Sequence, residues 1–237
     1  MEESVNMGPS GSTKPASGSP VSLILNTVKE VITNPTGFFK EMPKSGGFGE
    51  PLIFMVAMGV VSALVGVVLS IFGLGFTGTF NMALVSILLV PILTAIFGFV
   101  GAAILFIIWK ILGSQESYET AYRCGAYMTT ITPITAVINA IPYLGIIISL
   151  AWAMFLIVTA STEVHKIKTN TAWIVFGILF LLMGLMSISS QCAARKMLKG
   201  MAPWAEKVEN MDKMSPEEAG KAMGDFLKGL QKSTGEK

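Results

Sequence analysis

The sequence predicts an all-α, polytopic transmembrane helix bundle of five spans, with amphipathic helices before the first span and after the last. Three observations carry this. The 237-residue chain is 52% hydrophobic and only 14% charged, against about 25% charged in soluble domains. The shortfall is concentrated, because Pro51–Trp109, Ala126–Ser161 and Thr171–Gln191 contain no Asp, Glu, Lys or Arg. Finally, Tyr118–His165 reads as two apolar spans of about 20 residues around a break at Ile141-Pro142-Tyr143, a turn too short to hold soluble structure.

Composition also narrows the partners. A net charge of +2 gives no reason to expect nucleic acid, and the lipid bilayer is the predicted surrounding. Cys124 and Cys192 make neither a metal set nor a disulfide framework. The N-terminus lacks a basic-then-apolar run, so no cleavable signal is expected and the first span serves as the insertion signal.

Residues 1–20 are rich in Gly, Ser and Pro and read as a disordered tail. Residues 21–50 form an amphipathic interfacial helix and a linker. Val21, Leu23, Ile24, Leu25, Val28, Val31 and Ile32 recur at roughly helical spacing, too briefly to cross a membrane, so the segment is expected to lie on its surface. Asn34-Pro35 stops it. Phe38-Phe39 reads as an interfacial anchor ahead of the Gly46-Gly47 linker.

Residues 51–190 are the membrane domain. Span one, Pro51–Phe72, carries Gly59, Ala63 and Gly66 on one small-residue face suited to close helix packing. After a glycine-rich turn, Met82–Leu112 is apolar for a helical length of about 46 Å, longer than a hydrocarbon core of about 30 Å. Pro91 is therefore expected to mark a kink or the end of a shallow lead-in, with span two over Leu88–Ile111 and Trp109-Lys110 as an interface anchor. Span three follows at Tyr122–Ala140, span four at Leu144–Ser161 and span five at Thr171–Ser190. Residues 191–237 form a polar tail in which Ser215-Pro216-Glu217-Glu218 starts an amphipathic helix.

Five spans put the termini on opposite sides. The N-terminal side collects Lys29, Lys40, Lys44, Lys110, Arg123, Lys166 and Lys168, whereas the opposite loops carry no Lys or Arg. The positive-inside rule places the N-terminus in the cytoplasm, although Arg195, Lys196 and Lys199 pull the other way. Cys124 and Cys192 then lie near opposite faces and should not pair.

Ionisable groups within a membrane mark function, and the spans hold almost none. Arg123 stands at the start of span three, where it can act as an interface anchor by snorkelling to headgroups or pairing with Glu116 or Glu119. His165, in a loop beside Glu163, is expected to be solvated. No catalytic set, cofactor loop or metal cluster is recognisable, so no enzyme and no cofactor is expected. The one polar constellation is Thr132, Thr135 and Asn139, which share a face of span three. It reads either as glue at the Pro133 kink and between helices or as the lining of a small cavity.

The order of features resembles the Yip1 domain family of five-span membrane proteins over about Val21 to Ser190. The resemblance rests on Asn-Pro-x-x-Phe-Phe (Asn34–Phe39), Pro51-Leu52 opening span one, and Tyr118, Ala121-Tyr122-Arg123 and Ala126-Tyr127 leading to Pro133. Ile-Pro-x-x-Gly (Ile141–Gly145), Trp152 and Glu163-Val164-His165 complete it. Met128 stands where the family has Ser or Gly, and the tail beyond Gln191 is longer. The resemblance implies the five-span fold. The cytosolic N-terminus of eukaryotic members resembles a docking region for trafficking GTPases, but the segment here is short, so small-GTPase binding does not carry over and a bacterial-type, inner-membrane member is implied. The resulting expectation is a non-enzymatic organiser or adaptor working through self-association or another membrane protein, trafficking-type if eukaryotic. The alternative is a small-molecule or lipid carrier or channel using the Thr132/Thr135/Asn139 face.

Overall fold

The structure, a computed structural model, describes residues 19–74, 80–141 and 143–209, and beyond them only 217, 220, 221 and 224. It divides into two compact units, Met1–Phe180 and Leu181–Lys237. Among the described residues there is no strand.

The first helix, α1 (Pro20–Thr33), starts as its sequence dictates. The Ser19 hydroxyl accepts from the Ser22 N–H at 3.3 Å, and Pro20 fills the first turn, where an N–H would go unused. Asn34-Pro35 ends α1 and opens α2 (Pro35–Glu41), a helix the hydrophobic pattern did not reveal. The Asn34 side chain caps the new helix by accepting from the Gly37 N–H at 3.1 Å. A Cβ at Gly37 would sit 2.8 Å from Asn34 Cγ, so the cap needs glycine there. The α2 turn swings Phe39 inward to 1% exposure and sets the Phe38 ring edge-on to Tyr127 at 5.2 Å. The Phe38-Phe39 pair is therefore a core contact, not the lipid anchor expected from its sequence. On α1, Val31 is fully buried with Ile24 and Val28 packed beside it, while Val21 and Leu25 stay exposed.

Helices α3 (Gly49–Ile71) and α4 (Phe80–Ile111) pack antiparallel, with Gly59 against Pro91 and Gly98 beneath Met55. A Cβ on Gly59 would lie 3.0 Å from Pro91 Cα, so this glycine sets the closeness of the pair. Ala63 is buried, but nothing approaches Gly66 within 4 Å, so the small-residue face closes over only part of its length. The helix α4 runs through Pro91 without a break. Its outer residues Leu88, Ile92 and Ile96, spaced by four, are exposed, as suits a lipid-facing row.

Span three is where regular helix fails. It splits into α5 (Tyr118–Met128), a 3₁₀ turn at Thr129–Ile131 and α6 (Thr132–Ile138). Pro133 has no N–H to continue the ladder. The hydroxyls of Thr129, Thr130 and Thr132 instead donate to the carbonyls of Ala126, Tyr127 and Thr129 at 2.6, 2.6 and 2.8 Å. In a membrane this local rebonding removes the cost of bare backbone groups. The broken segment runs beside α3 in the same direction, since Glu119 meets Gly47, Arg123 meets Glu50 and Thr132 meets Ser62.

The hairpin closes into α7 (Leu144–Glu163), and α8 (Thr169–Glu209) follows. Among the described residues four helices are long and apolar enough to cross a membrane: Gly49–Ile71, Leu84–Ile111, Leu144–Glu163 and Thr169–Ala193. The remaining expected span is the broken one, about 31 Å long at helical rise, which is consistent with five. The protein is an integral, multi-pass membrane protein.

The helix α8 continues to Glu209, where a polar tail was expected from Gln191. The expected disordered tail lies outside the described residues except at Ser19 and Pro20. The same holds for most of the Gly73–Asn81 turn and of the helix starting at Ser215. Of that last helix only four residues are described, all helical, with Lys221 3.3 Å from Glu217.

Candidate functional site

At the α5 start the bundle gathers its charges around one guanidinium. Arg123 is 1% exposed, and its three polar partners come from the linker, α5 and α3. Its Nη2 donates to the Gly47 carbonyl at 2.9 Å, its Nε lies 3.5 Å from Glu119 Oε1, and its Nη1 lies 3.6 Å from Glu50 Oε2. Glu119 in turn accepts from the Gly47 N–H at 2.7 Å. The linker can approach this closely because Gly46 and Gly47 take φ of 124° and 87°, conformations that disfavour a side chain. Alongside, Lys44 pairs with Glu116 at 2.6 Å, and the Thr120 hydroxyl donates to the Lys44 carbonyl. Arg123, expected as an interface anchor that snorkels to headgroups or pairs with Glu116 or Glu119, turns inward, lies against Glu119, and holds the linker between α2 and α3 onto α5. Its Nη1 and the Tyr122 hydroxyl are buried without a hydrogen-bond partner.

A second cluster was not legible in the sequence. His165, expected to be solvated, is 4% exposed and stacks on the fully buried Trp109 at 3.8 Å. Lys166 adopts φ 56°, a turn that leaves Lys166 outside while His165 and Ile167 on either side are buried. The Trp109 indole donates to Ser161 Oγ at 2.8 Å, so this tryptophan is a packed residue and not a lipid-facing anchor. Ser114 Oγ lies 2.8 Å from His165 Nδ1, and Cys124 Sγ lies 3.9 Å from Nε2. With Ser114 donating, the neutral ring carries its proton on Nε2. Burial first, then the cations Lys44 and Lys110, push His165 down to about 3. A signal was present in hindsight: Trp109 and Ser161 are the polar-capable residues at the ends of their apolar runs, and each needs a partner when buried.

The span-three constellation serves three different neighbours. Thr132 Oγ1 lies 2.8 Å from Ser62 Oγ on α3, Thr135 donates to the Thr132 carbonyl at 3.1 Å, and Asn139 Oδ1 accepts from Ser149 on α7 at 3.0 Å. Spacing put the three on one face, but the contacts diverge: the first ties α6 to α3 and the last closes the α6–α7 hairpin. Neither Cys124, which is buried, nor Cys192, which is exposed, is in a disulfide. Among the described residues no three His, Cys, Asp or Glu side chains come together as a metal site.

No curated protein and no solved structure matches the chain. The family model described as the Yip1 domain matches residues 29–190. That span begins within α1 and ends within α8, and it includes the capped Asn34-Pro35 junction, the broken span three and the His165 turn. Over more than half its length, therefore, the chain belongs to the Yip1 domain family.

Proposed function

We propose that this protein is a non-enzymatic membrane organiser or adaptor, working through contacts of its spans with further copies or with another membrane protein. The observation that carries the reading is where the intramembrane polar groups go. Ser62 meets Thr132, Asn139 meets Ser149 and Trp109 meets Ser161, each bond joining two helices of the same chain. Groups used in this way lock helices together at about 0.6–2 kcal/mol each and are spent on one another, although Asn139, at the hairpin end, stays exposed. What the spans offer outward is apolar, with Leu88, Ile107 and Ile174 among the most exposed. The distribution of Lys and Arg among the short loops supports a cytoplasmic N-terminus.

Cross-linking in native membranes, followed by mild-detergent extraction, should give stable oligomers or one reproducible partner. A strictly monomeric, partnerless protein overturns the proposal. So does free labelling of cysteines placed at 132 and 135, deeper in that face than Asn139, by water-borne thiol reagents, which would favour a carrier with the Thr132/Thr135/Asn139 face as its lining.

A further inference from the structure

Beside the Arg123 clamp, a groove of about 380 Å³ runs between α1, the first turns of α3 and Tyr127. This volume falls in the range of about 300–1,000 Å³ typical of small-molecule sites. Leu23, Ile24, Ile53 and Phe54 make it apolar, and it also holds the Thr27 hydroxyl and the Glu50 carboxylate. Leu23 and Ile53 are themselves 43% and 65% exposed, so the groove opens on the outside of the bundle. It lies where α3 begins, the level at which a span meets the headgroup layer. An apolar slot in that place is filled by a lipid chain more readily than by water.

The charges beside it choose the headgroup. One guanidinium serves two carboxylates, Glu119 at 3.5 Å and Glu50 at 3.6 Å, while the nearby Lys44 is taken by Glu116. Glu50 remains 74% exposed, and Arg123 Nη1, buried beside it, has no hydrogen-bond acceptor. An exposed carboxylate at the edge of an apolar groove is complementary to a cationic headgroup. It offers an acceptor for an ammonium, whereas Arg123, 1% exposed and outside the groove lining, is closed to a headgroup phosphate. Thr27 adds a second acceptor, which favours an ammonium that carries hydrogens over a methylated one.

We propose that this groove binds one phospholipid with a primary-ammonium headgroup. An acyl chain lies against Leu23, Ile53 and Phe54, and the ammonium bonds to Glu50. Such a lipid fastens α1 to α3 from outside while Arg123 fastens the linker from inside. The site is separate from the face of span three, and it stands whether or not the spans associate with a partner.

Native mass spectrometry of the full chain tests this in micelles doped equally with phosphatidylethanolamine, phosphatidylcholine and phosphatidylglycerol. One phosphatidylethanolamine should remain bound at collision energies that strip the other two. Glu50→Gln should lower its retention about tenfold. Ile53→Trp, which fills the groove from an exposed position, should abolish retention, with both variants melting like the parent. Equal retention of the three lipids overturns the proposal, as does preference for the anionic one. Retention of phosphatidylethanolamine that neither variant changes overturns it as well.

Discussion

His165 shows how one residue's environment decides its chemistry. The free imidazole protonates near 6.5, whereas the ring packed on Trp109 is held neutral down to about 3. Between those values the unfolded chain binds a proton that the native protein refuses, so stability must fall as pH drops from about 6.5 toward 3. Above 7 both states are neutral and this contribution is flat. The slope from this one group is up to roughly 1 kcal/mol per pH unit. Melting in detergent from pH 7.5 to 4.5 should show the decline, and His165→Gln should flatten it; equal slopes for the two proteins would assign it to carboxylates instead. The sequence could not announce this, because a lone histidine beside Glu163 and Lys166 has the composition of a solvated loop. The left-handed turn at Lys166, a backbone fact, turned it inward.

Among the elements, the α6–α7 hairpin rests most on a single residue. A Cβ at Gly145 would overlap the Ile138 carbonyl oxygen and stand 2.6 Å from Asn139 Cα, both backbone atoms that cannot move aside. Gly145→Ala should therefore cost about 1–3 kcal/mol by overpacking and loosen the Ser149–Asn139 bond across the hairpin. Thermal unfolding in detergent checks it, with Gly66→Ala, which meets open space, as the variant expected to melt unchanged. The existence of the apolar helices was legible from run length and absence of charge. Their internal shape was less so. Pro91 and Pro133 look alike in sequence, yet α4 continues through the first and span three breaks at the second. Pro133 follows three threonines able to rebond the freed carbonyls, and that local option lets the chain leave the α-helix there.

Across the membrane domain, three segments assigned to one side by charge do meet in space. The 42–48 linker touches the α4–α5 loop through Lys44 and Glu116, and that loop touches the α7–α8 turn through Ser114 and His165. Single cysteines at 45, 115 and 166, in a chain lacking Cys124 and Cys192, should label from the same face of sealed vesicles. Cysteines at 74 and 141 should label only from the opposite face. Mixed labelling within the first group would overturn the arrangement of spans. The small-residue face on span one illustrates the limit of pattern at this scale. Gly59 and Ala63 close on neighbours and Gly66 does not, because the closeness of two helices is set at their crossing and not along a whole stripe.

By itself the sequence determined that the chain is a membrane-embedded helical protein, which runs are apolar enough to cross, and that the first helix stops at Asn34-Pro35. These follow from hydrocarbon thickness and backbone hydrogen bonding, which act on each segment alone. Only the tertiary structure decided which polar residues are spent inside. Arg123 could have snorkelled, His165 could have been solvated, and Phe38, Phe39 and Trp109 could have faced lipid. Each was settled by a partner distant in sequence, and a polar or aromatic side chain goes where its hydrogen bonds and packing are met.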